Sequence, residues 1–489
     1  MRSFIETPLE HKLQGRTDHG ARDAALQLFH SVADTVPAYR LFLAEHGIDA
    51  ASVQDFASFE RLPAITKENY LLKQPLPSLC RNGRLEDCDM IAVSSGSTGE
   101  PCFWPRSVMD ELEIAARFEQ IFRDSFRADE RKTLAVICFV LGTWVGGMYT
   151  AACCRHLAAK GYPITVISPG TNREEIFRAI RELSPLFDQT VLLGYPPFLK
   201  GVIDEGRVRG IDWPSCHIRW VMAGEVLSEE WRTLVGERVG STHPLHDSAS
   251  LYGTADAGVL GNETPLTISI RRWLAANPRA ARELFGESRL PTLVQYDPLS
   301  RFFEAIDGGL LLTGDNGIPL VRYNIKDTGG IRSYASMLEF LRDWGFDPIA
   351  EFEPNARGLY DLPFVYVFGR SDFTVSYFGA NIFPENVTVG LEQSEIKDWV
   401  TGKFVLQVLE DADRDEYLSV TVELSPGHEP HGELSSQIAN SIRTQLLRLN
   451  SEFANYVPAA SQLPVVTLKP TGDPEYFPAG VKHRYMRKV

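Results

Sequence analysis

The chain is short of positive charge. Its 489 residues carry 49 Lys and Arg against 64 Asp and Glu, a formal net charge of -15. A surface of that sign disfavours non-specific nucleic-acid binding and adhesion to anionic membranes, while a nucleotide can still be held by a local site. Cysteine is scarce, seven residues in all. None forms a Cys-x-x-Cys pair, so neither a zinc ribbon nor a disulfide framework is indicated. Scattered thiols, with Cys153-Cys154 inside an apolar run, suit a reducing compartment, and a cytoplasmic location is expected. The first residues, Met1-Arg2-Ser3-Phe4-Ile5-Glu6, lack the apolar core of a signal peptide. Internal repeats and low-complexity linkers are missing. One uncharged run, Leu134 to Cys154, is nearly long enough to span a bilayer. Gly142, Gly146 and Gly147 interrupt it, and a buried strand, a turn and an apolar helix explain it equally well, so no membrane span is expected.

What remains is an ordinary globular composition, 44% apolar and 23% charged. At roughly 150 residues per domain the length suggests about two to four units, or one large α/β unit. The densest local signal is Val93-Ser94-Ser95-Gly96-Ser97-Thr98-Gly99-Glu100-Pro101. It follows Met90-Ile91-Ala92-Val93, which reads as a short strand, and it cannot itself bury a core. Glycine leaves the backbone free to turn its N–H groups outward, and successive outward N–H groups form an anion-binding concavity. No Gly-Lys-Ser/Thr follows, so this is not a Walker A loop. With Ser97 at the centre, the first glycine of a nucleophile elbow is missing. No Gly-x-Gly-x-x-Gly frame opens a helix. Alone, the stretch reads either as a phosphate grip or as a polar surface turn.

Residues 15–48 carry apolar positions at helical spacing. Beyond the serine-rich stretch, apolar runs alternate with helical patterns. Strands are expected at Leu134–Leu141, Ile164–Ile167, Val191–Leu193 and Ile218–Met222. Helices are expected at Glu111–Arg127, Ala151–Lys160, Arg173–Leu183, Phe198–Glu205 and Ser228–Val239. This alternation is the pattern of an α/β sheet with mainly parallel strands, whose ligands sit beyond the carboxyl ends of the strands. The turns after three of these strands, at the serine-rich stretch, Gly194-Tyr195-Pro196 and Ala223-Gly224-Glu225, would then line one crevice. From about residue 290 the strands shorten. A hairpin is expected around Gly314-Asp315-Asn316-Gly317 and a strand at Phe364–Phe368. The final stretch offers strands at 403–409 and 417–424, a helix over 432–449 and a strand at Val465–Leu468, enough for a small α+β domain.

Several of these stretches together resemble the adenylate-forming superfamily of acyl-CoA synthetases, adenylation domains and luciferases. The serine-rich stretch resembles its phosphate loop. Leu251-Tyr252-Gly253-Thr254-Ala255-Asp256 is similar to its Tyr-Gly-x-Thr-Glu motif, and Val321-Arg322-Tyr323-Asn324-Ile325-Lys326-Asp327 to its ribose motif. Gly369-Arg370-Ser371-Asp372, followed by Gly379-Ala380-Asn381-Ile382-Phe383-Pro384-Glu385, resembles its hinge. Pro37-Ala38-Tyr39-Arg40, Leu62-Pro63 and Lys67-Glu68-Asn69-Tyr70 resemble the N-terminal segment of the phenylacetate–CoA ligase-like branch. One such motif is weak; several in order along one chain are specific.

The resemblance implies a large N-terminal α/β domain over 1–369, a hinge at 370–372 and a small mobile α+β lid over 373–489. It implies ATP, Mg²⁺ and coenzyme A as cofactors and a small carboxylic acid as substrate, converted first to an acyl-adenylate and then to a thioester. Ser94, Ser95, Gly96, Ser97, Thr98 and Gly99 would hold the β- and γ-phosphates. Gly224, Glu225, Tyr252 and Gly253 would line the adenine slot, with Tyr252 as its stacking face, and Thr254 would bind the cofactor where the acyl group lies near. Asp327 would accept the ribose hydroxyls with help from Arg370. Asp256 would hold Mg²⁺, a hard cation that prefers carboxylate oxygen. Lys482 would bring a charge to the α-phosphate, and Asp372 would be the pivot. Phe139, Trp144, Gly194, Tyr195 and Pro196 would border the acid, favouring an aryl or extended apolar one. Asp315, in a Thr-Gly-Asp triplet, is expected to be a turn residue. The chain departs from the pattern at Glu100, where many relatives have lysine, at Ala255, which lacks a hydroxyl, and at Asp256, shorter than glutamate. Two alternatives stay open: transfer of the acyl group to a carrier-protein thiol, an amine or a hydroxyl, and a non-catalytic nucleotide-binding regulator. The oligomeric state is not set by the sequence.

Overall fold

A computed structural model describes residues 2–16, 18–94, 102–224, 227–286, 290–353, 356–370, 375–382, 384–396, 399–425, 427–477 and 486. The chain divides into two compact units. One comprises Met1–Ser94, Phe103–Gly194 and Leu199–Ser371; the other comprises Ser95–Cys102, Tyr195–Phe198 and Asp372–Val489.

A small sheet pairs β1 (Met90–Ser94) with β2 (Cys102–Arg106), which belongs to the first unit from Phe103 on, and the first unit also holds a large sheet of eleven strands. The large sheet is built from β3 (Thr133–Ile137), β4 (Ile164–Ile167), β5 (Gln189–Gly194), β6 (Ile218–Ala223), β7 (Ser248–Thr254), β8 (Gly258–Asn262), β9 (Thr292–Gln295), β10 (Arg301–Ile306), β11 (Gly309–Gly314), β12 (Leu320–Arg332) and β13 (Phe364–Arg370). Their spatial order is β10-β11-β12-β13-β9-β8-β7-β6-β5-β3-β4. Strands β4, β3, β5, β6 and β7 run parallel, and from β8 onward the neighbours are antiparallel.

The parallel half is the βα alternation expected from the sequence. Every residue of β3 and of β5 is buried, as befits strands covered on both faces. Helices join them. Arg173–Leu183 is capped by Asn172, whose side chain accepts from the Glu175 amide. Glu229–Val239 is capped by Ser228, whose hydroxyl accepts from Trp231 N at 3.0 Å. It ends on Gly240 in the left-handed region. The uncharged run resolves into β3, a turn and the Val145–Ala159 helix. Among the described residues no helix is long and apolar enough to cross a membrane. The expected Glu111–Arg127 helix is instead Val108–Glu119 followed by a wider π turn over Gln120–Ser125. The expected helical region at 15–48 is two helices, Asp18–Thr35 and Pro37–Glu45, because Pro37 cannot continue the first and opens the second.

The second unit has β14 (Val375–Tyr377) paired with β15 (Ala380–Ile382), and a three-stranded sheet of β16 (Val400–Glu410), β17 (Glu416–Leu424) and β18 (Val465–Lys469). The Gly432–Leu449 helix buries Leu434, Ile438, Ile442 and Leu446 at helical spacing. They pack into one core with Phe404, Leu406, Val420 and Val422. The architecture is thus α/β in the first unit and α+β in the second.

Candidate active site

A short N-terminal turn is built into the site of the first unit. The Ile65 amide donates to Arg322 O, and the Asn324 amide donates to Ile65 O, so residue 65 bridges β12 in parallel. The next residues close a turn from both ends: Asn69 Oδ1 accepts from the Thr66 amide at 2.6 Å, and Thr66 Oγ1 accepts from the Asn69 amide at 3.0 Å. Arg322 holds the arrangement from below. It pairs with Glu304 at 2.9 Å and donates to Leu62 O. Burial pushes the Glu304 carboxyl up, and Arg322 opposes the shift.

This turn presents Lys67 to Asp256, with Nζ 3.1 Å from Oδ1. The other oxygen, Oδ2, accepts from Tyr323 OH at 2.6 Å. Arg106, with no exposed surface, donates through Nη2 to the carbonyls of Ala255 and Asp256 at 2.7 and 2.8 Å. The loop that ends β7 is therefore pinned by its backbone as well as by its carboxylate. Between these groups lies Trp104, with Lys67 Nζ 5.8 Å and the Arg106 guanidinium 5.9 Å from its ring centre. The indole N–H donates to Ser94 Oγ at 2.9 Å, at the end of β1.

Tyr252 and Asp327, the adenine and ribose residues of the sequence reading, meet directly. Tyr252 OH donates to Asp327 Oδ2 at 2.6 Å. A bulge between Tyr252 and Gly253 sets the angle of β7 there. A buried network steadies the strand from behind: Glu263 accepts from the Ser250 amide, and Arg232 joins Glu263 to Ser248. The Tyr252 ring is stacked on Phe303, 6.3 Å between centres at 25°. Burial, then the Asp327 carboxylate, push its phenol well above the usual range, so it stays a proton donor. Thr254 Oγ1 accepts from the Ala257 amide and closes the turn that carries Asp256.

The other candidate residues fall as follows. Gly224, after β6, has φ 95°, which favours glycine. The Asp327 and Arg370 backbones are register partners in β12 and β13. Phe139 and Gly194 are buried, and Trp144 precedes the Val145–Ala159 helix, half-buried. A Cβ at Gly194 would lie 2.9 Å from Leu199. Tyr195 and Pro196 follow β5 and group with the second unit. Asp315 is a turn residue, exposed and paired with Arg81 at 2.8 Å. Ser95, Gly96, Ser97, Thr98, Gly99, Glu100, Glu225, Asp372 and Lys482 lie outside the described residues, as does the side chain of Arg370.

Sequence reasoning assigned no role to Lys67, Trp104, Arg106 or Tyr323. Their only sequence signal was that Lys67 and Tyr323 sit inside motifs noted for other reasons. The expected Mg²⁺ site meets a difficulty at Asp256. Both oxygens already have protein partners, and one of these is an ammonium. That arrangement does not fit a carboxylate free to hold a divalent cation.

No protein-family model matches this sequence. No curated protein matches it. Solved structures do. 2-Hydroxyisobutyryl-CoA ligase, in complex with 2-HIB-AMP and CoA in the thioesterification state, is 13% identical and superposes with a TM-score of 0.65, over 99% of this chain and 91% of that one. An open conformation of the same ligase gives a TM-score of 0.54 at 13% identity, over 96% and 91%. At that identity the likeness is one of fold, and the two-unit architecture is shared along nearly the whole chain.

Proposed function

We propose that this chain is an ATP-dependent carboxylate-activating enzyme that passes the acyl group to the thiol of coenzyme A. The observation that carries this reading is the Tyr252–Asp327 hydrogen bond. Two motifs separated by 75 residues, each matched independently to the nucleotide slot, come together at 2.6 Å in a buried position. The shared fold supports it, since the neighbour is a CoA ligase with an acyl-adenylate and CoA in its complex.

In the first step a carboxylate oxygen attacks the α-phosphorus of ATP and pyrophosphate leaves. In the second, the thiol sulfur attacks the acyl carbonyl, its proton is lost, and AMP leaves with the electron pair of the broken bond. Neither step needs a covalent bond to the protein. The demands are position and charge, which enclosed polar groups meet better than water does. Asp327 would hold the ribose. Gly224 would let the chain approach the base. Lys482 would neutralise charge developing at the α-phosphate. Residues 373–489 would act as a lid turning about Asp372 between the steps. Mg²⁺ would arrive with ATP, and no step is assigned to a metal held by Asp256. Phe139 and Trp144 favour an aryl or extended apolar acid, in the phenylacetate–CoA ligase manner.

The test is pyrophosphate release from ATP across a panel of aryl, aliphatic and short 2-hydroxy acids, each with and without coenzyme A. Release that depends on one acid and quickens with coenzyme A is expected. Acid-dependent release indifferent to coenzyme A would move the acceptor to a carrier protein, an amine or a hydroxyl. ATP binding without release under any condition would sink the catalytic reading in favour of a nucleotide-binding regulator.

A further inference from the structure

Lys67 has no place in the chemistry above, yet the fold takes trouble to present it. The turn that carries it is closed from both ends by Thr66 and Asn69, and the residue before that turn is hydrogen-bonded into β12. Its neighbour Tyr70 is buried against Tyr39 and Phe42. A lysine held this way loses less freedom on meeting a ligand than one on a mobile loop. The side chain is 13% exposed, so the ammonium is enclosed and still reachable from solvent.

We infer that Lys67 is the resident cation of the nucleotide site: seated on Asp256 in place of a metal, its ammonium holds the outer phosphates of ATP. This rests on the reading of the chain as a nucleotide-using enzyme. An ammonium has three N–H donors. Among the described residues Lys67 has one anionic partner, Asp256, and that carboxylate is shared with the Tyr323 hydroxyl. The two charges balance, and since one contact to Oδ1 uses at most one of the three N–H groups, the ammonium has donors to offer a second anion. The aromatic face of Trp104 neutralises nothing, and the ring's N–H ties it to the end of β1. Arg106, fixed to the Ala255 and Asp256 carbonyls, keeps two further buried nitrogens, Nε and Nη1, without an acceptor among the described residues. Asp110 is the acid that faces Arg106, and burial pushes its carboxyl up. A phosphate reaching Lys67 meets cationic groups already desolvated, where charge-assisted hydrogen bonds are strong. The simpler role, a lock that only steadies Asp256, predicts no preference among nucleotides.

The experiment is calorimetric titration of the full chain with ATP in chelator, with MgATP and with AMP, for wild type, Lys67→Met and Lys67→Arg. Wild type is expected to bind ATP without metal. Lys67→Met should weaken that binding by about tenfold or more and AMP binding by less than about twofold, because AMP lacks the outer phosphates. Lys67→Arg should stay within roughly threefold of wild type, since it keeps the charge. A Lys67→Met/Asp256→Asn double variant leaves no unpaired carboxylate and should show the same pattern, so it carries the test if the single variant folds poorly. Equal losses for ATP and AMP, or ATP binding unchanged in Lys67→Met, would overturn the inference alone. Wild type that binds no ATP with or without Mg²⁺ would end the enzymatic reading and this inference with it.

Discussion

The hydroxyl of Tyr252 donates to Asp327 from a ring that is 8% exposed, and both ends of that bond are buried. Removing only the donor tests what the bond contributes. Tyr252→Phe keeps the ring against Phe303 and leaves the carboxylate one partner poorer. Hydrogen bonds to charged groups contribute about 1.5–3 kcal/mol, so thermal unfolding should move down by a few degrees and ATP affinity should fall with it. An unchanged melting curve would show that the pair adds nothing net. Asp124 gives a residue-scale prediction in pH. It sits in the π turn, 4% exposed, accepting from Tyr360 OH at 2.7 Å with Arg123 at 3.3 Å. Burial raises its carboxyl from 3.8 to about 6, with Tyr360, Arg123 and Arg357 opposing and Glu119 adding to the rise. The folded chain thus binds a proton here more tightly than the unfolded chain does. That contribution to stability is complete below about pH 4 and is lost as pH rises through about 6. Denaturant unfolding of wild type and Asp124→Asn across that window should show the wild type losing stability relative to the variant as pH rises. A constant difference would mean that Asp124 titrates alike in both states.

At the scale of elements, the edge of β12 decides where Asp327 sits. A register shift between Thr328 and Gly329 lies just past it, and Thr328 Oγ1 donates to Gly369 O across to β13. A Cβ at Gly329 would lie 2.0 Å from the carbonyl oxygen of Tyr366, a backbone atom that cannot swing aside. Gly329→Ala should therefore force the two strands apart, costing about 1–3 kcal/mol, and should weaken ATP binding by displacing Asp327. Gly309→Ala, whose Cβ would meet only Ile306 O at 3.5 Å, is the control and should change neither. Loss of stability in Gly329→Ala with ATP affinity intact would separate the bulge from the site. The elements legible in sequence were those that settle their own shape. Arg173–Leu183 and Gly432–Leu449 carry strong periodicity or caps and are found over those residues. Strands β8 and β9 were not legible. Gly258-Val259-Leu260-Gly261-Asn262 has no alternation, and β9 is four residues long, so both exist because neighbouring strands pair with them. The site divided in the same way. Asp327 and Tyr252 stood out because they lie in motifs. The Lys67–Asp256 pair is a tertiary contact between distant segments, and no local pattern records it.

At the scale of the whole molecule, the proposed function asks a chain of net charge -15 to receive a polyanion and an acid. Long-range attraction cannot gather them, so cations must be placed locally, and the two chemical steps need them unequally. Adenylation brings a carboxylate onto a phosphate that is already negative, and the crowded oxygens at the α-phosphorus need a charge beside them. Thiolysis attacks a neutral carbonyl and expels AMP, whose phosphate gains one negative charge as the acyl–oxygen bond breaks, against the several charges already crowded together in adenylation. A cation delivered by the C-terminal segment should therefore matter most in the first step. Lys482→Ala is expected to slow acid-dependent pyrophosphate release by about a hundredfold or more, and to slow thioester formation from supplied acyl-adenylate by much less. Lys67 would remain in place on the first unit, so ATP binding by this variant should stay within about threefold of wild type. That separates delivery of charge during reaction from retention of the nucleotide. Equal slowing of both half-reactions would remove Lys482 from the α-phosphate, and the search for the adenylation cation would return to Lys67 and Arg106.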